Sequence, residues 1–331
     1  LGIDWSEVEA RVSPDAVSVY VSSSMGQLDE NGTGGMLRGR ALGKRVTSKQ
    51  CPLGFAEMPG DFINAYVLGS LGSTGPALGA CATFLYNLRL AVQDIRSGRA
   101  RVAIVGAAEA PVVAEVMEGY AAMGALASDK ALRALDGLSD DVRPDARRAC
   151  RPFGENCGFT MSESAQIMVL FDDELALELG APTLAAIPDV FVSADGPKKS
   201  ISGPGIGNYV TFAKSAALLK NLLGDRRFAS GGMVQAHGTS TPQNRVTESQ
   251  IMSQVAVAMG VQKWRVGAIK SFIGHSLGAA AGDQLSAMLG VWETGLMPGI
   301  TALDGIASNV ETDRLEFALR TEATEAPDYA L

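Results

Sequence analysis

Gly75-Pro76-Ala77-Leu78-Gly79-Ala80-Cys81-Ala82-Thr83-Phe84-Leu85 is the stretch on which the fold turns. A short apolar segment breaks at Gly79, small residues flank Cys81 on both sides, and a helical pattern follows at once. Leu85, Leu88, Val92 and Ile95 recur at spacings of three and four, with Arg89, Gln93 and Arg96 on another face, until Gly98 stops the pattern. Residues 101–105 are rich in β-branched side chains. The order is therefore strand, elbow, helix, strand, which predicts an α/β fold with a buried sheet. A side chain at such an elbow stands clear of its neighbours, and the unpaired N–H groups of the helix's first turn favour a thiolate there.

Upstream of the elbow, Val17-Ser18-Val19-Tyr20-Val21 alternates as a strand should, and residues 22–35 read as a polar loop. A basic run follows (Arg38, Arg40, Lys44, Arg45, Lys49); its ordinary reading is a solvated face, its sharper one a docking patch for an acidic carrier. Pro59-Gly60 punctuates, and a helix is predicted over 62–71. Downstream, residues 117–153 alternate alanine-rich helix with polar loop, an excursion over the surface. Residues 166–171 read as a strand, 175–179 as a short helix ended by Gly180, and 184–192 as the start of a second α/β half. The organisation expected is an N-terminal half, 1–180, with the elbow and the excursion, and a C-terminal half, 181–331.

In that second half, Gly203-Pro204-Gly205-Ile206-Gly207-Asn208 precedes a helix over 210–223, but the spacing is not GxGxxG and no strand leads in, so an ordinary loop is expected rather than a phosphate cradle. Residues 233–237 read as strand into loop, 246–259 as helix, 264–269 as strand, and 278–289 as a helix dense in small residues.

Composition narrows the class. At 331 residues and 47% hydrophobic, the chain can bury a sizeable core. A net charge of −8 argues against a general nucleic-acid surface. Cys51, Cys81, Cys150 and Cys157 form no CxxC pair and have no metal spacing with histidine, so neither a metal site nor a disulfide framework is expected and a reducing cytoplasm fits. The apolar stretches are too short or interrupted by Glu109 and Glu293, and the opening residues carry no signal-peptide pattern, so neither membrane insertion nor export is expected.

The chain's two histidines sit in Val234-Gln235-Ala236-His237-Gly238-Thr239-Ser240-Thr241-Pro242 and in Lys270-Ser271-Phe272-Ile273-Gly274-His275-Ser276-Leu277-Gly278. Each follows a predicted strand and lies beside glycine, and Lys270 shares the strand-to-loop unit of His275. A papain-like hydrolase needs one histidine and an orienting Asn or Asp, which leaves the second histidine and the lysine unused. A carbon–carbon bond-forming acyl transferase uses all of them: a thiolate to hold the acyl group and two neutral imidazole N–H donors for the oxyanion of the second substrate.

These three motifs, in this order and spacing, with Arg151-Pro152-Phe153 and Gly158-Phe159 between them, resemble the β-ketoacyl-[acyl-carrier-protein] synthases, condensing enzymes of the thiolase superfamily. The resemblance runs from about Val17 to Ile300. It implies a thiolase-like fold, two similar βαβ-rich halves in a layered α-β-α-β-α sandwich, here truncated at both ends. It implies that Cys81 carries the acyl group, that His237 and His275 polarise the malonyl thioester, and that Lys270 orients the site and helps hold His275 neutral. By the same resemblance Thr239 and Thr241 bind the phosphopantetheine arm, Glu248 supports the lysine side, and Phe159 lies at the mouth of the acyl pocket. Acyl carrier protein is the implied partner, with substrates on its phosphopantetheine and no other cofactor, and a cytoplasmic homodimer is the implied assembly.

The chain departs from the family pattern in places. Glu155-Asn156-Cys157 stands where Asp-Arg-Asp is usual, Ser162-Glu163-Ser164 where Gly-Glu-Gly is, and Arg245 where an aspartate is, which puts loop contacts in question. The family's opening strand and helix and its Gly-Phe-Gly-Gly segment, which supplies one oxyanion N–H, have no counterpart, so a fragment of this extent is expected to be weak or inactive. Two rivals stay open. A silent synthase-like partner or chain-length subunit would lose the nucleophile, which Cys81 disfavours; a thiolase acting on coenzyme A esters needs a second cysteine near the C-terminus, and none follows Cys157.

Overall fold

The structure is a computed structural model that describes residues 3–29, 31–198 and 205–331. By contact the chain divides into two interleaved units, one of Leu1–Met117, Ser162–Val190 and Ser276–Asp283, the other of Glu118–Met161, Phe191–His275 and Gln284–Leu331. The expected halves, 1–180 and 181–331, follow chain order; these units are assembled from alternating segments.

The first unit is built on three strands in the order β1 (Val17–Ser22), β2 (Val102–Glu109) and β3 (Ser164–Phe171). β1 and β2 run parallel and β3 antiparallel to β2. All six residues of β1 are buried, so the alternation of its sequence reflects the two faces of a fully covered strand, with Ser18 and Ser22 paired by hydrogen bonds rather than exposed. Val17, Val19, Val21, Val102 and Ile104 form the core with Leu175. The helix after Cys81 spans Thr83–Arg96 and covers this sheet through Phe84, Leu88, Ala91 and Val92.

The second unit holds β4 (Gly232–Gln235), β5 (Trp264–Gly267), β6 (Leu296–Met297), β7 (Leu315–Phe317), β8 (Glu322–Ala323) and β9 (Tyr329–Ala330). Among the described residues, β7, β5, β4 and β9 make a parallel sheet in that order, while β6 and β8 pair separately. Trp264 is wholly buried at its centre, donating from Nε1 to Tyr329 Oη at 2.8 Å, and that hydroxyl donates to Phe228 O at 2.8 Å. The helices Gly207–Leu223 and Pro242–Met259 pack together in this unit.

Several local expectations are corrected. The helix expected over 62–71 begins earlier, at Met58, because Pro59 in the first turn starts a helix rather than punctuating one; it passes into a π turn, Asn64–Leu68, and ends at left-handed Gly69. The polar loop over 22–35 gives way to a helix, Thr33–Ala41. The segment before Cys81 is no regular strand: it touches β1 through one parallel bridge, Val19 to Thr74, before Gly75 and Pro76, which lacks a ladder donor, turn it away. Residues 181–198, expected to open a second half, form neither helix nor strand. Lys270 stands on a short helix, Lys270–Ile273, not in a loop. Gly203 and Pro204 of the glycine cluster lie outside the described residues; Gly207 begins the following helix.

Candidate active site

In the first unit, Cys81 occupies a single 3-10 turn, Ala80–Ala82, directly before the Thr83–Arg96 helix, and is half-buried. The turn is held from the helix side. Thr83 Oγ1 accepts the Gly79 N–H at 3.1 Å and donates to Ala80 O at 2.8 Å, while Asn87 Oδ1 accepts the Ala77 N–H at 3.1 Å. Ala80 pays a φ of +49° for this geometry. The Asn87 amide also donates to Ser22 Oγ at 2.7 Å and to Gly106 O at 2.9 Å, which fixes the turn against β1 and β2. The 3-10 turn Leu277–Ala279, in the segment of this unit that begins one residue after His275, packs against the cysteine turn. Cys81 thus stands at the positive end of a helix, where a thiolate is favoured.

In the second unit, the neighbouring parallel strands β4 and β5 deliver the next two groups from their C-terminal ends. The Ala236 N–H bonds Gly267 O, so the chain after β4 and the chain after β5 leave side by side. Lys270 is consequently 2% exposed with Nζ donating to His237 O at 2.7 Å and 3.3 Å from His237 Nδ1. The two oxygens of Glu248 accept the N–H groups of His237 and Gly238, the latter at 2.8 Å. Gly238 has a φ of +50°, and a Cβ on it would stand 3.1 Å from Pro152 and 3.2 Å from Ala268, so the His237 loop needs glycine here on both counts. Thr239 donates its N–H to Asn244 Oδ1 at 3.0 Å, and the Thr239 and Thr241 hydroxyls lie 3.1 Å apart.

His275 is 1% exposed and is positioned by the strand-like strap over 158–161. Its N–H bonds Thr160 O at 2.8 Å, and Met161 bridges it in parallel. Its ring meets that of Phe159 edge-on at 4.8 Å and that of His237 at 5.3 Å, nearly perpendicular. Phe159 is itself buried and touches Tyr120 at 5.9 Å. Burial, and then the Lys270 ammonium, hold both imidazoles well below the ordinary histidine range; for His275, His237 adds to the effect. Burial pushes the Glu248 carboxyl up, against the pull of the two N–H groups it accepts. Two neutral rings with N–H donors beside a fixed cation can stabilise negative charge on a substrate oxygen.

Thus His237, Glu248, Lys270, His275, Phe159, Thr239 and Thr241 are gathered in the second unit, and Cys81 is presented in the first. Sequence reasoning missed Asn87, Asn244, Thr160 and Cys150. Asn87 could have been found, since it lies on the buried face of the helix beside Leu88 and Ala91, where a polar residue needs partners. Cys150 is buried, its thiol pushed up by that burial, and its Sγ accepts the Thr160 N–H at 3.1 Å.

Some of the departures from the family pattern have partners, whereas the Ser162 hydroxyl is buried without a hydrogen-bond partner among the described residues. Ser164 Oγ donates to Asp283 at 2.6 Å, and Arg245 joins Glu155, Asn156 and Gly154.

The chain matches the β-ketoacyl synthase N-terminal domain over residues 4–176 and the β-ketoacyl synthase C-terminal domain over 186–304, and it is a member of that family. It is 53% identical over 326 residues to the β-ketoacyl-[acyl-carrier-protein] synthase FabY of Pseudomonas aeruginosa, covering 98% of this chain and 51% of that protein. The crystal structure of the P. aeruginosa ketosynthase FabY superposes with a TM-score of 0.95, over 98% of this chain and 50% of that one. A β-ketoacyl synthase from Burkholderia phymatum, 21% identical, shares the thiolase-like fold at a TM-score of 0.77, over 97% of this chain and 72% of that one. The chain spans about half the length of FabY. Among the described residues, no helix is long and apolar enough to cross a membrane.

Proposed function

We propose that this chain is the condensing part of a β-ketoacyl-[acyl-carrier-protein] synthase of fatty acid or polyketide biosynthesis. In this reading the Cys81 thiolate attacks the thioester carbonyl of an acyl-carrier protein, and the carrier's phosphopantetheine thiol leaves with a proton. Malonyl-carrier protein follows, its arm held by Thr239 and Thr241. The His237 and His275 N–H groups take up the charge that develops on its thioester oxygen as carbon dioxide departs. The enolate carbon attacks the acyl-Cys81 carbonyl, the Cys81 thiolate is expelled, and a 3-oxoacyl-carrier protein results. Lys270 orients His237 and keeps the pair neutral, Glu248 holds the His237 loop, and Phe159 flanks the acyl chain. No cofactor beyond the carrier's arm is needed.

The observation that carries this reading is the pair of imidazoles, His275 buried and His237 half-buried, whose rings meet edge-on at 5.3 Å beside the buried Lys270, which together with burial favours their neutral forms. Hydrolysis has no use for two such donors; a decarboxylating thioester has. The test is release of labelled carbon dioxide from malonyl-carrier protein by the full-length protein, with iodoacetamide labelling mapped by mass spectrometry. Release together with labelling at Cys81 is expected. Labelling confined to Cys51 would favour a silent partner subunit, and acyl exchange on coenzyme A without carbon dioxide release would favour a thiolase.

The halves 1–180, with Cys81, and 181–331, with both histidines, are part of the same proposal, as are a cytoplasmic location and a homodimer with its pockets near the subunit interface. Light scattering of the purified protein would test the dimer.

A further inference from the structure

We propose that Arg245 is a positioning residue that sets the strap over 154–161, and through it Phe159 and His275, against the helix that carries Glu248. The proposal rests on the synthase reading for its functional meaning and on the side-chain geometry for its substance.

Arg245 is 7% exposed, so its guanidinium is stripped of water and must find its acceptors in the protein. It finds them in two separate segments. Nη1 donates to Gly154 O at 2.9 Å and approaches Asn156 Oδ1 at 3.5 Å, Nη2 pairs with Glu155 at 2.8 Å, and Nε donates to Asn309 Oδ1 at 3.0 Å. The same helix start grips the His237 loop through its neighbours: Asn244 accepts from Thr239, and Glu248 accepts from His237 and Gly238. Residues 244, 245 and 248 of one rigid helix therefore hold the loop of one histidine and the strap beneath the other. From the Arg245 contact the strap runs three residues to Gly158, whose N–H bonds Ser240 O at 3.0 Å, then through Phe159 to Thr160, whose carbonyl receives the His275 N–H. Arg245 is the charged pin at the start of that path. Asn156 also ties the strap to the chain just before it, its Nδ2 donating to Arg151 O at 3.0 Å.

The chain thus places the cation on the helix and the acceptors on the strap, which suggests a swap that preserves the junction. Arg245→Met removes the pin, Arg245→Lys keeps the charge without the planar fork, and Arg245→Asp combined with Asn156→Arg moves the cation to the strap. In the full-length protein, Arg245→Met is expected to speed amide exchange at residues 158–161 and 275 by about tenfold while β4 and β5 stay protected. The same variant should lower kcat for condensation by about tenfold, through misplacement of the histidine pair, with iodoacetamide still labelling Cys81 at the wild-type rate. Arg245→Lys should recover part of both effects and the swapped pair most of them. Wild-type exchange at 158–161 in Arg245→Met would overturn the proposal, as would loss of protection spread evenly over β4 and β5. Should Arg245→Met fail to fold, Arg245→Lys and the swap decide by the same readouts. A wild-type protein that releases no carbon dioxide would sink the synthase reading alone, since the exchange measurements judge Arg245 without turnover.

Discussion

The cysteine turn and the histidine crossing are held in opposite ways. Around Cys81 the bonds made by the turn's own backbone are local, Gly79 to Thr83, Thr83 to Ala80 and Ala77 to Asn87, with one left-handed alanine absorbing the strain and Asn87 alone reaching on to the strands. Around the imidazoles the holding bonds come from residues further off in sequence, from Glu248 to His237, from Lys270 to His237 and from Thr160 to His275. A nucleophile needs exposure at a fixed point, which a short turn and a helix end can supply. A pair of neutral rings needs burial and a neighbouring cation, which only packed, distant segments can supply. The first arrangement should tolerate local change and the second should fail when any one remote partner is removed.

The largest effect expected from breaking that contrast is at Lys270. Lys270→Met removes the second cause that holds both imidazoles neutral and should lower carbon dioxide release by about 10²-fold. Its pH profile carries the sharper signature. Because both folded-state histidine pKa values lie well below 6.5, the wild-type rate should stay level as pH falls through 6.5 and drop only further into acid. The same shift means these histidines contribute stability that is full above 6.5 and is lost as pH falls toward their folded values. In Lys270→Met the acid limb should move to higher pH; an unmoved limb would mean that burial alone sets the rings.

Next in size is Glu248→Ala, which leaves the N–H groups of His237 and Gly238 without their acceptor and should cost about 2 kcal/mol in denaturant unfolding. The smallest effect belongs to the cysteine turn. Ala80→Gly relieves a φ of +49° at an exposed position but adds backbone freedom to the unfolded chain, so unfolding should shift by less than about 1 kcal/mol, toward stability. Cys81 should alkylate at an unchanged rate. A loss at Ala80 as large as that at Glu248 would erase the distinction between the two regions.

The same contrast explains what the sequence could tell. The helix after the elbow and the strand that follows were legible because the pattern from Leu85 to Ile95 and the β-branched run after Arg101 are contiguous signals, although Leu85 itself is exposed and Phe84 takes the buried place. The histidine motifs were legible as motifs, through glycine at Gly238 and Gly274 and through Lys270, yet the groups that tune them were not. Thr160 acts through a backbone carbonyl, which no side chain announces, and Cys150 through a sulfur that accepts a bond from the same residue's N–H. Arg245 read as a mismatch against the family pattern because its acceptors lie far away in the chain, in the Gly154–Asn156 segment and at Asn309. The interleaving of the two units was hidden for a like reason: segments such as Ser276–Asp283 join a unit by packing, with no compositional boundary to mark them.

Asn87 sets a limit on how portable the cysteine turn is. One amide, two helical turns' reach from the thiol, reads the position of Ala77 with its oxygen and those of Ser22 and Gly106 with its nitrogen. The motif as written from Gly75 to Leu85 stops short of it. A graft of that motif into another scaffold would carry the thiol and the helix start but leave the gauge behind, and only a scaffold offering both strand contacts to an asparagine at the same offset would keep the sulfur in register.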